Sequence, residues 1–393
     1  MAEAFIVAAQ RTPIGAFQGA FATIPASRLG AIAIKAALMK AKVPAALVDE
    51  CIMGQVLTAG AGQAPARQAA LYASLPASTR CFSINKVCGS GLQAVLLANN
   101  SIRLGESAIV VAGGQENMTL APHLLESSRS GYRMGAITAT DSMVKDGLWD
   151  PYDNCHMGTE GELCAKHYGF TREQQDEFAK TSYLRAQAAI NGGAFSDEIC
   201  TVETLQGKES IAVAIDEEPG RANFGKFATL RPAFATDGTI TAANASKVND
   251  GAAALVLVSA AKVKELGLQP IARIQAQATY SHEPQWFTTA PIGAMRRALQ
   301  AAGLTADQID LYEINEAFSN VTMAAMQELQ IPHSKVNVHG GAVALGHPIG
   351  ASGARILTTL LHALTKYDMK LGMASLCIGG GEAIAVIVER CRN

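Results

Sequence analysis

The sequence predicts an α/β protein made of two similar halves, and two observations lead to that prediction. Apolar segments of strand length alternate with longer helix-like segments over the first 118 residues and again from residue 252 onwards. The pair Ser90–Leu97 and Ile109–Glu116 also parallels the pair Ser352–Leu357 and Ala374–Glu382, which indicates an internal duplication. Residues 119–248 break the alternation with glycine, proline, serine and charged residues, so we expect an insertion there.

The first half is predicted from its apolar runs and from the residues that end them. Short apolar runs predict strands, and longer runs with apolar residues along one side predict helices. The expected strands are Ala4–Ala9, Glu50–Leu57 and Ala108–Ala112. The expected helices are Leu29–Lys40, Ala64–Ala73 and one from Gly91 to about residue 103, preceded by a turn at Cys88.

The insertion contains short helices such as Arg172–Ile190, and the strand Ala252–Ser259 then resumes the alternation. The later strands are expected at Ile271–Ala278, Ile309–Ile314, Met373–Cys377 and Ala383–Glu389. The later helices are expected at Ala294–Ala302, at Ala317–Leu329 and from Gly350. We therefore predict an N-terminal half of residues 1–118 completed by 249–268, an inserted domain of residues 119–248 and a C-terminal half of residues 269–393.

Composition limits the classes of function. The chain has 393 residues, too many for one ordinary core, and its 49% hydrophobic and 17% charged residues favour a soluble protein that oligomerises. A net charge of −2 without a basic run gives no sign of a nucleic-acid partner. We find no signal peptide and no apolar run long enough to span a membrane, and the eight cysteines lack paired spacing, so we expect reduced thiols in the cytosol.

Two residues in glycine-rich settings point to nucleophilic catalysis. Cys88 lies in Lys86-Val-Cys-Gly-Ser-Gly91, where a helix start would lower the pKa of a thiol through its dipole. His347 lies in Gly346-His-Pro-Ile-Gly350, just ahead of a helix that Pro348 can open, so it can face a cleft and deprotonate a thiol. A cysteine buried in a turn is the alternative for Cys88, and the histidine makes it less attractive.

Two further positions lie at predicted strand ends. Cys377 ends a strand ahead of Gly379 and Gly380, where a thiol can move a proton near a substrate, although a buried strand cysteine would look the same. Asn315 and Glu316 follow another strand, at the edge where α/β sheets place their sites. A helix N-cap with an acid beside it is the alternative for that pair.

These segments resemble the thiolases. The resemblance rests on Cys88-Gly-Ser-Gly-Leu, Asn315-Glu-Ala-Phe, Gly346-His-Pro-Ile-Gly-Ala-Ser-Gly353 and Leu376-Cys-Ile-Gly-Gly-Gly381, four blocks in the family's order, and it extends over nearly the whole chain. It implies duplicated α/β halves in a five-layered αβαβα arrangement with an inserted loop domain. It also implies a catalytic set of Cys88, His347, Cys377, Asn315 and Gly379.

The family mechanism assigns a role to each of these residues. By resemblance, Cys88 takes an acetyl group from acetyl-CoA, His347 activates that thiol, and Cys377 removes a proton from a second acetyl-CoA. The products are acetoacetyl-CoA and CoA, and thiolysis is the reverse reaction. One oxyanion hole is implied at His347 with a water held by Asn315, and another at the backbone N–H groups of Cys88 and Gly379.

The resemblance also implies how the substrate is bound. Coenzyme A thioesters would be substrates, with no tightly bound cofactor, and residues 115–143 resemble a tetramerisation loop, which implies a homotetramer built as a dimer of dimers. Met157 would favour short acyl chains. The residues implied to contact the thioester are Leu148, His156, Met157, Arg221, Phe234, Ser246, Phe287, Ala317 and Phe318.

Three alternative functions compete with an acetyl-CoA-condensing thiolase. A 3-ketoacyl-CoA thiolase for longer chains would share all four blocks. A ketosynthase-type condensing enzyme would not need Cys377, and a non-catalytic thiolase-like subunit or lipid-binding protein would have lost at least one of Cys88, His347 and Cys377. We predict no metal site, because the histidines show no ligand spacing and no cysteine cluster accompanies them.

Overall fold

The computed structural model describes residues 3–207 and 209–391. Its strands are β1 Ala4–Arg11, β2 Gly15–Ala16, β3 Glu50–Gly54, β4 Arg80–Ile84, β5 Ile109–Asn117, β6 His123–Leu124, β7 Thr140–Asp141, β8 Trp149–Asp150, β9 Cys155–His156, β10 Val202–Gln206, β11 Glu209–Val213, β12 Asn249–Ser259, β13 Ala272–Ser281, β14 Leu311–Ile314, β15 Leu371–Ile378 and β16 Glu382–Arg390. Its α-helices are α1 Ala26–Ala41, α2 Pro65–Tyr72, α3 Ser90–Leu104, α4 Met157–Tyr168, α5 Arg172–Asn191, α6 Ala260–Leu266, α7 Ala290–Ala302, α8 Ser319–Leu329, α9 Ala342–Leu345 and α10 Ile349–Lys366.

The main sheet repeats one strand pattern in both halves. In the first half β3 runs parallel to β5, β5 pairs antiparallel with β12, and β12 pairs antiparallel with β1. In the second half β14, β15, β16 and β13 repeat these pairings in the same order and directions. The two sets join at β1 and β13 through the pairs Phe5↔Arg273 and Ile6↔Ala272. The internal duplication predicted from sequence is therefore visible in the topology.

The helices and sheets stack in five layers, as alternate residues of the strands reveal. In β3, Ile52 packs with α3 and α10 in the central core, whereas its neighbour Met53 packs on the other face with α1 and α2. In β15, Ala374 faces the central core, whereas Met373 faces α7 and α8. Because successive side chains of a strand point to opposite faces, each half of the main sheet is covered on both sides. The order is helix, sheet, helix, sheet, helix, as expected.

Helices α3 and α10 cross at glycine. A Cβ atom built on Gly353 would lie 2.5 Å from the backbone nitrogen of Leu92, and one built on Gly91 would lie 2.9 Å from the backbone nitrogen of Ala354. No side chain fits between two backbones that approach so closely, which is why glycine is needed on both helices. Since both contacts lie near the helix starts, the crossing brings the segments before α3 and α10 together.

The segment between β5 and β12 packs over one edge of the layers and is anchored by a buried arginine. Arg11, at the end of β1, donates to Glu198 at 2.6 Å and to both carboxylate oxygens of Asp216 at 2.7 and 2.9 Å. Helix α5 lies against α8 and α9, and α4 also contacts α8. In the part of the chain that the structure describes, no helix is long and apolar enough to cross a membrane.

Every strand and helix predicted from sequence is present, with several boundaries shifted, but other elements were not expected, among them the short strands β2 and β6 to β11 and helix α6. Strand β4, Arg80–Ile84, was not expected; it lies at the sheet edge, and its short mixed sequence gives little apolar signal. The strand that begins at Glu50 ends at Gly54 rather than at Leu57. Helix α8 begins at Ser319 rather than at Ala317, which changes how Asn315 must be interpreted.

Candidate active site

Cys88 lies in a tight turn between β4 and α3. The preceding Val87 has a φ of +44°, a conformation that a β-branched residue rarely adopts. The turn is held by Ser90, whose Oγ–H donates to the carbonyl of Val87 at 2.6 Å and whose Oγ accepts from the N–H of Lys86 at 2.8 Å. These bonds compensate for the strain at Val87 and direct the thiol into the space in front of α3.

The electrostatics of Cys88 correct one expectation. We predicted that the helix start would lower the pKa of its thiol, but burial raises that pKa to about 12. The backbone N–H groups of Gly379 and Cys88 favour the thiolate, and the charge of Glu116 opposes it. Removal of the thiol from water outweighs the donors, so the resting group is a neutral thiol that needs a base.

His347 precedes α10 with one ring nitrogen held and the other free to act. Its Nδ1 lies 2.6 Å from Oγ of Ser352, which itself donates to the carbonyl of Pro348 at 2.9 Å. The single hydroxyl hydrogen of Ser352 is used in the bond to Pro348, so its Oγ accepts from the Nδ1–H of His347. In the neutral ring, Nε2 then carries no proton. Burial, with a further contribution from Arg355, lowers the histidine pKa to about 3, so the ring is neutral and can accept a proton.

Asn315 contributes to the site and does not cap a helix. Helix α8 has Phe318 at its N-cap, which makes the alternative interpretation of Asn315 wrong. The Asn315 Nδ2 atom lies 3.4 Å from Nε2 of His347, and its Oδ1 has no hydrogen-bond partner in the described chain. Glu316 faces another way, where it accepts from Ser182 Oγ at 2.7 Å and so supports the structure.

Cys377 and the glycines after it come from the other half of the fold. Cys377 is buried near the end of β15; burial raises its pKa well above the usual range, and the neighbouring Cys88 raises it further. Gly379 directs its N–H at the Cys88 sulfur, and a Cβ atom on it would lie 3.2 Å from the sulfur of Met157. Gly380 follows with a φ of +90°, which favours glycine. The two thiols and a backbone donor therefore lie together.

These groups border a cavity of about 390 Å³. Cys88, His347 and Gly379 line it, and Cys377 and Asn315 lie buried outside its lining. The lining also includes most of the residues predicted to contact the substrate: Leu148, His156, Met157, Phe234, Ser246, Phe287, Ala317 and Phe318. Arg221 is not part of this lining; it is exposed and pairs with Glu217 at 3.1 Å.

Lys247 lines the cavity too, and sequence reasoning missed it. Its Nζ donates to the carbonyls of Ala245 and Val343, both at 3.1 Å, and lies 5.1 Å from the ring centre of Tyr183. Burial lowers its pKa to about 8, while Glu218, another cavity residue that we did not predict, opposes that shift. Lys247 could have been found from sequence, because it is a lysine in an otherwise uncharged stretch just before a buried strand.

Comparison with known families identifies the chain. The thiolase N-terminal domain matches residues 4–261, and the thiolase C-terminal domain matches residues 268–390. The chain belongs to the thiolase family. The break between the two matches falls between β12 and β13, where the second copy of the duplicated strand pattern begins. In this thiolase, the sequence resemblance and the fold prediction are thereby confirmed.

Relatives match this thiolase over nearly its whole length. The acetyl-CoA acetyltransferase of Cupriavidus necator is 54% identical over 99% of this chain and 100% of its own, and that of Pseudomonas aeruginosa is 50% identical over the same shares. Among solved structures, the Acat5 thiolase of Ascaris suum in complex with coenzyme A is 42% identical, covers 99% of this chain and 100% of its own, and has a TM-score of 0.95. The Bacillus anthracis acetyl-CoA acetyltransferase has a TM-score of 0.97 at 38% identity, with coverage of 100% of this chain and 99% of its own.

Proposed function

We propose that this thiolase is an acetyl-CoA C-acetyltransferase, which condenses two acetyl-CoA molecules to acetoacetyl-CoA and CoA and catalyses the reverse thiolysis. The observation that carries the proposal is the meeting of Cys88, His347 and Gly379 on one cavity, with Cys377 buried close to Cys88. A nucleophile, a base, a backbone donor and a second thiol are the groups that this chemistry requires.

The first half-reaction forms acetyl-Cys88. Nε2 of His347 takes the thiol proton while the sulfur attacks the acetyl carbonyl carbon, whose oxygen is stabilised by the N–H groups of Cys88 and Gly379. The bond between that carbon and the CoA sulfur then breaks. The Cys377 thiol gives its proton to the departing CoA thiolate, so CoA leaves as a thiol and Cys377 becomes a thiolate.

The second half-reaction forms the carbon–carbon bond. The Cys377 thiolate removes a methyl proton from a second acetyl-CoA, whose thioester oxygen is held by protonated His347 and by a water bound to Asn315. The resulting carbanion attacks the acetyl group, the bond to Cys88 breaks, and His347 returns the proton to that sulfur. The high pKa of Cys377 supports this role, because a strongly basic thiolate is needed for a weakly acidic C–H bond.

The cavity supports a short acyl group. Its volume of about 390 Å³ is small for a site that must also admit part of coenzyme A, and Met157, Phe287 and Phe318 supply bulk at its wall. A 3-ketoacyl-CoA thiolase acting on longer chains is the second candidate. Thiolysis rates measured over a series of 3-ketoacyl-CoA chain lengths separate the two: a steep fall beyond acetoacetyl-CoA is expected, and equal rates on long chains would favour the second candidate.

Acetyl labelling tests the assigned roles. With acetyl-CoA as donor, Cys88→Ala should abolish covalent labelling, whereas Cys377→Ala should retain labelling and lose condensation. Mass spectrometry locates the acetyl group, and a coupled assay follows acetoacetyl-CoA. Condensation by Cys377→Ala would remove that thiol from the mechanism, and an unlabelled native enzyme would favour a non-catalytic, lipid-binding role.

We also propose a cytosolic homotetramer. The large side chains Leu120, Leu125, Tyr132, Met134 and Ile137 are exposed in the segment that resembles the family's tetramerisation loop, which supports burial against another subunit. All eight cysteines are free thiols, which supports a reducing compartment. Light scattering at micromolar concentration should give the mass of four chains, and a monomer would contradict this proposal.

A further inference from the structure

Three side chains with metal-binding atoms meet beside the cavity wall. Asp150 and Cys155 are directly paired across the β8–β9 hairpin, so their side chains lie on the same side of it. Glu160 is in the first turn of α4, whose side chains lean back towards the helix start and hence towards the hairpin. One ligand atom from each of the three lies within 4.8 Å of the others.

The two carboxylates are buried without enough partners. Asp150 is 1% exposed and Glu160 is 2% exposed. Within the described chain, Oδ1 of Asp150 and both carboxylate oxygens of Glu160 have no hydrogen-bond partner, and Asp150 uses only Oδ2, which accepts from the N–H of Asp153 at 2.7 Å. Buried carboxylate oxygens normally accept hydrogen bonds or bind a cation, so these unpartnered oxygens are suited to a positive group.

The charges in the cluster lead to the same requirement. Two carboxylates and a thiol lie within 4.8 Å of one another, and both carboxylates are shielded from water. Negative groups held so close together away from water need either shared protons or a cation between them.

We propose that Asp150, Cys155 and Glu160 bind a divalent cation of the zinc class. A thiolate with two carboxylates suits Zn²⁺ or Cd²⁺ better than Mg²⁺ or Ca²⁺, which prefer oxygen ligands alone. Three protein ligands leave a fourth tetrahedral position for water. Ligand atoms in such a site are about 3.5 Å apart, so separations of up to 4.8 Å require the side chains to close by at most roughly 1 Å around the ion. We predicted no metal site from sequence because we considered histidine spacings and cysteine clusters. Two carboxylates and one cysteine spaced five residues apart match neither pattern.

The position of this site gives it a structural role near the substrate. The ligands Cys155 and Glu160 flank His156 and Met157, and both of these line the cavity. A cation held by the hairpin and by α4 would fix the two against each other and keep that wall in place. His156 also stacks on Phe234 with ring centres 4.7 Å apart, so the constraint extends across the cavity.

Cadmium titration of the full-length, metal-stripped protein tests the proposal, because a thiolate bound to Cd²⁺ gives an ultraviolet charge-transfer band. The Cys88→Ser background removes the reactive thiol of the cavity. We expect a saturable band that Zn²⁺ displaces and that Cys155→Ser and Glu160→Gln each abolish. Asp153→Asn removes a nearby charge that is not a ligand, and Cys81→Ser removes a distant thiol; both should retain the band.

The proposal fails if no band forms, or if the band survives in Cys155→Ser. A thermal melt on the native protein covers the case in which Glu160→Gln does not fold. Stoichiometric Zn²⁺ should raise the melting temperature of the native chain and leave that of Cys155→Ser unchanged. If Asp150 and Glu160 instead share a proton, Zn²⁺ will shift neither melting temperature, and the metal site is excluded.

Discussion

Gly353→Ala should separate the two central helices and impair both stability and catalysis. The new methyl carbon would lie 2.5 Å from the backbone nitrogen of Leu92 and 2.7 Å from its Cβ, whereas ordinary contacts are 3.4–4 Å. These are backbone or near-backbone atoms that cannot rotate away, so α10 and α3 must move apart by about 1 Å. His347 precedes one helix and Cys88 the other, so the base would withdraw from the nucleophile.

The magnitude follows from two opposing effects. An alanine inside a helix is favoured over glycine by about 0.5–1 kcal/mol. Overpacking a dense core costs about 1–3 kcal/mol, so the middle of the two ranges gives a net loss of about 1 kcal/mol, with an upper limit of about 2.5 kcal/mol. A displacement of about 1 Å between reacting groups lowers the rate by about 10²-fold.

Thermal melting and the thiolysis kcat/KM of acetoacetyl-CoA measure the two effects. Gly220→Ala is the matched control, since its new carbon would meet no atom within 4 Å. It should leave both quantities unchanged. A Gly353→Ala protein with native melting temperature and native kcat/KM would refute the claim that this crossing sets the distance between Cys88 and His347.

Three further outcomes are expected. Ser352→Ala removes the acceptor that holds Nδ1–H of His347, so kcat should fall by about 10²-fold with KM nearly unchanged; an unchanged kcat would rule out this orienting role. Arg11→Met leaves two buried carboxylates unpaired and should cost about 3–5 kcal/mol in urea unfolding, whereas Arg273→Met, at an exposed pair, should cost at most about 1 kcal/mol. Burial raises the pKa of Glu116 to about 7, so the folded state binds the Glu116 proton more tightly than the unfolded state does. The protonated Glu116 therefore makes its full contribution to the free energy of unfolding below about pH 4.5. That contribution falls by about 3 kcal/mol as the pH rises to about 7. Glu116→Gln should reduce the loss of stability between pH 5 and pH 7.5, measured as the change in the urea midpoint. An equal change in the native protein and in the variant would contradict the raised pKa of Glu116.

The alternation of apolar runs was sufficient to predict most of the fold, because the strands are buried on both faces and their sequences are continuously apolar. Strand β12 illustrates this, with every residue from Asn249 to Ser259 buried. Strand β4 was missed for the opposite reason: it is an edge strand with exposed and half-buried residues. The pattern of apolar residues reflects which positions are buried, and an edge strand has too few buried positions to give a clear pattern.

The candidate site was predicted in its residue types but not in its electrostatics. Glycine-flanked Cys88 and His347 could be found from local sequence, since the turns that hold them are local. The pKa of Cys88 could not, because it depends on burial by the folded chain and on the backbone N–H of Gly379, which is far away in sequence. Asp150 and Glu160 were missed because their proximity depends on how a hairpin packs against a helix start.

The duplication has a consequence for how the catalytic parts are divided. Equivalent helices of the two halves, α3 and α10, begin beside Cys88 and His347 respectively, so an originally repeated position has diverged into a nucleophile and a base. Neither half retains both. Residues 3–267 and 268–391, produced as separate polypeptides, should each be inactive in acetoacetyl-CoA thiolysis and regain activity only when mixed, since Cys88 lies on one and His347 on the other.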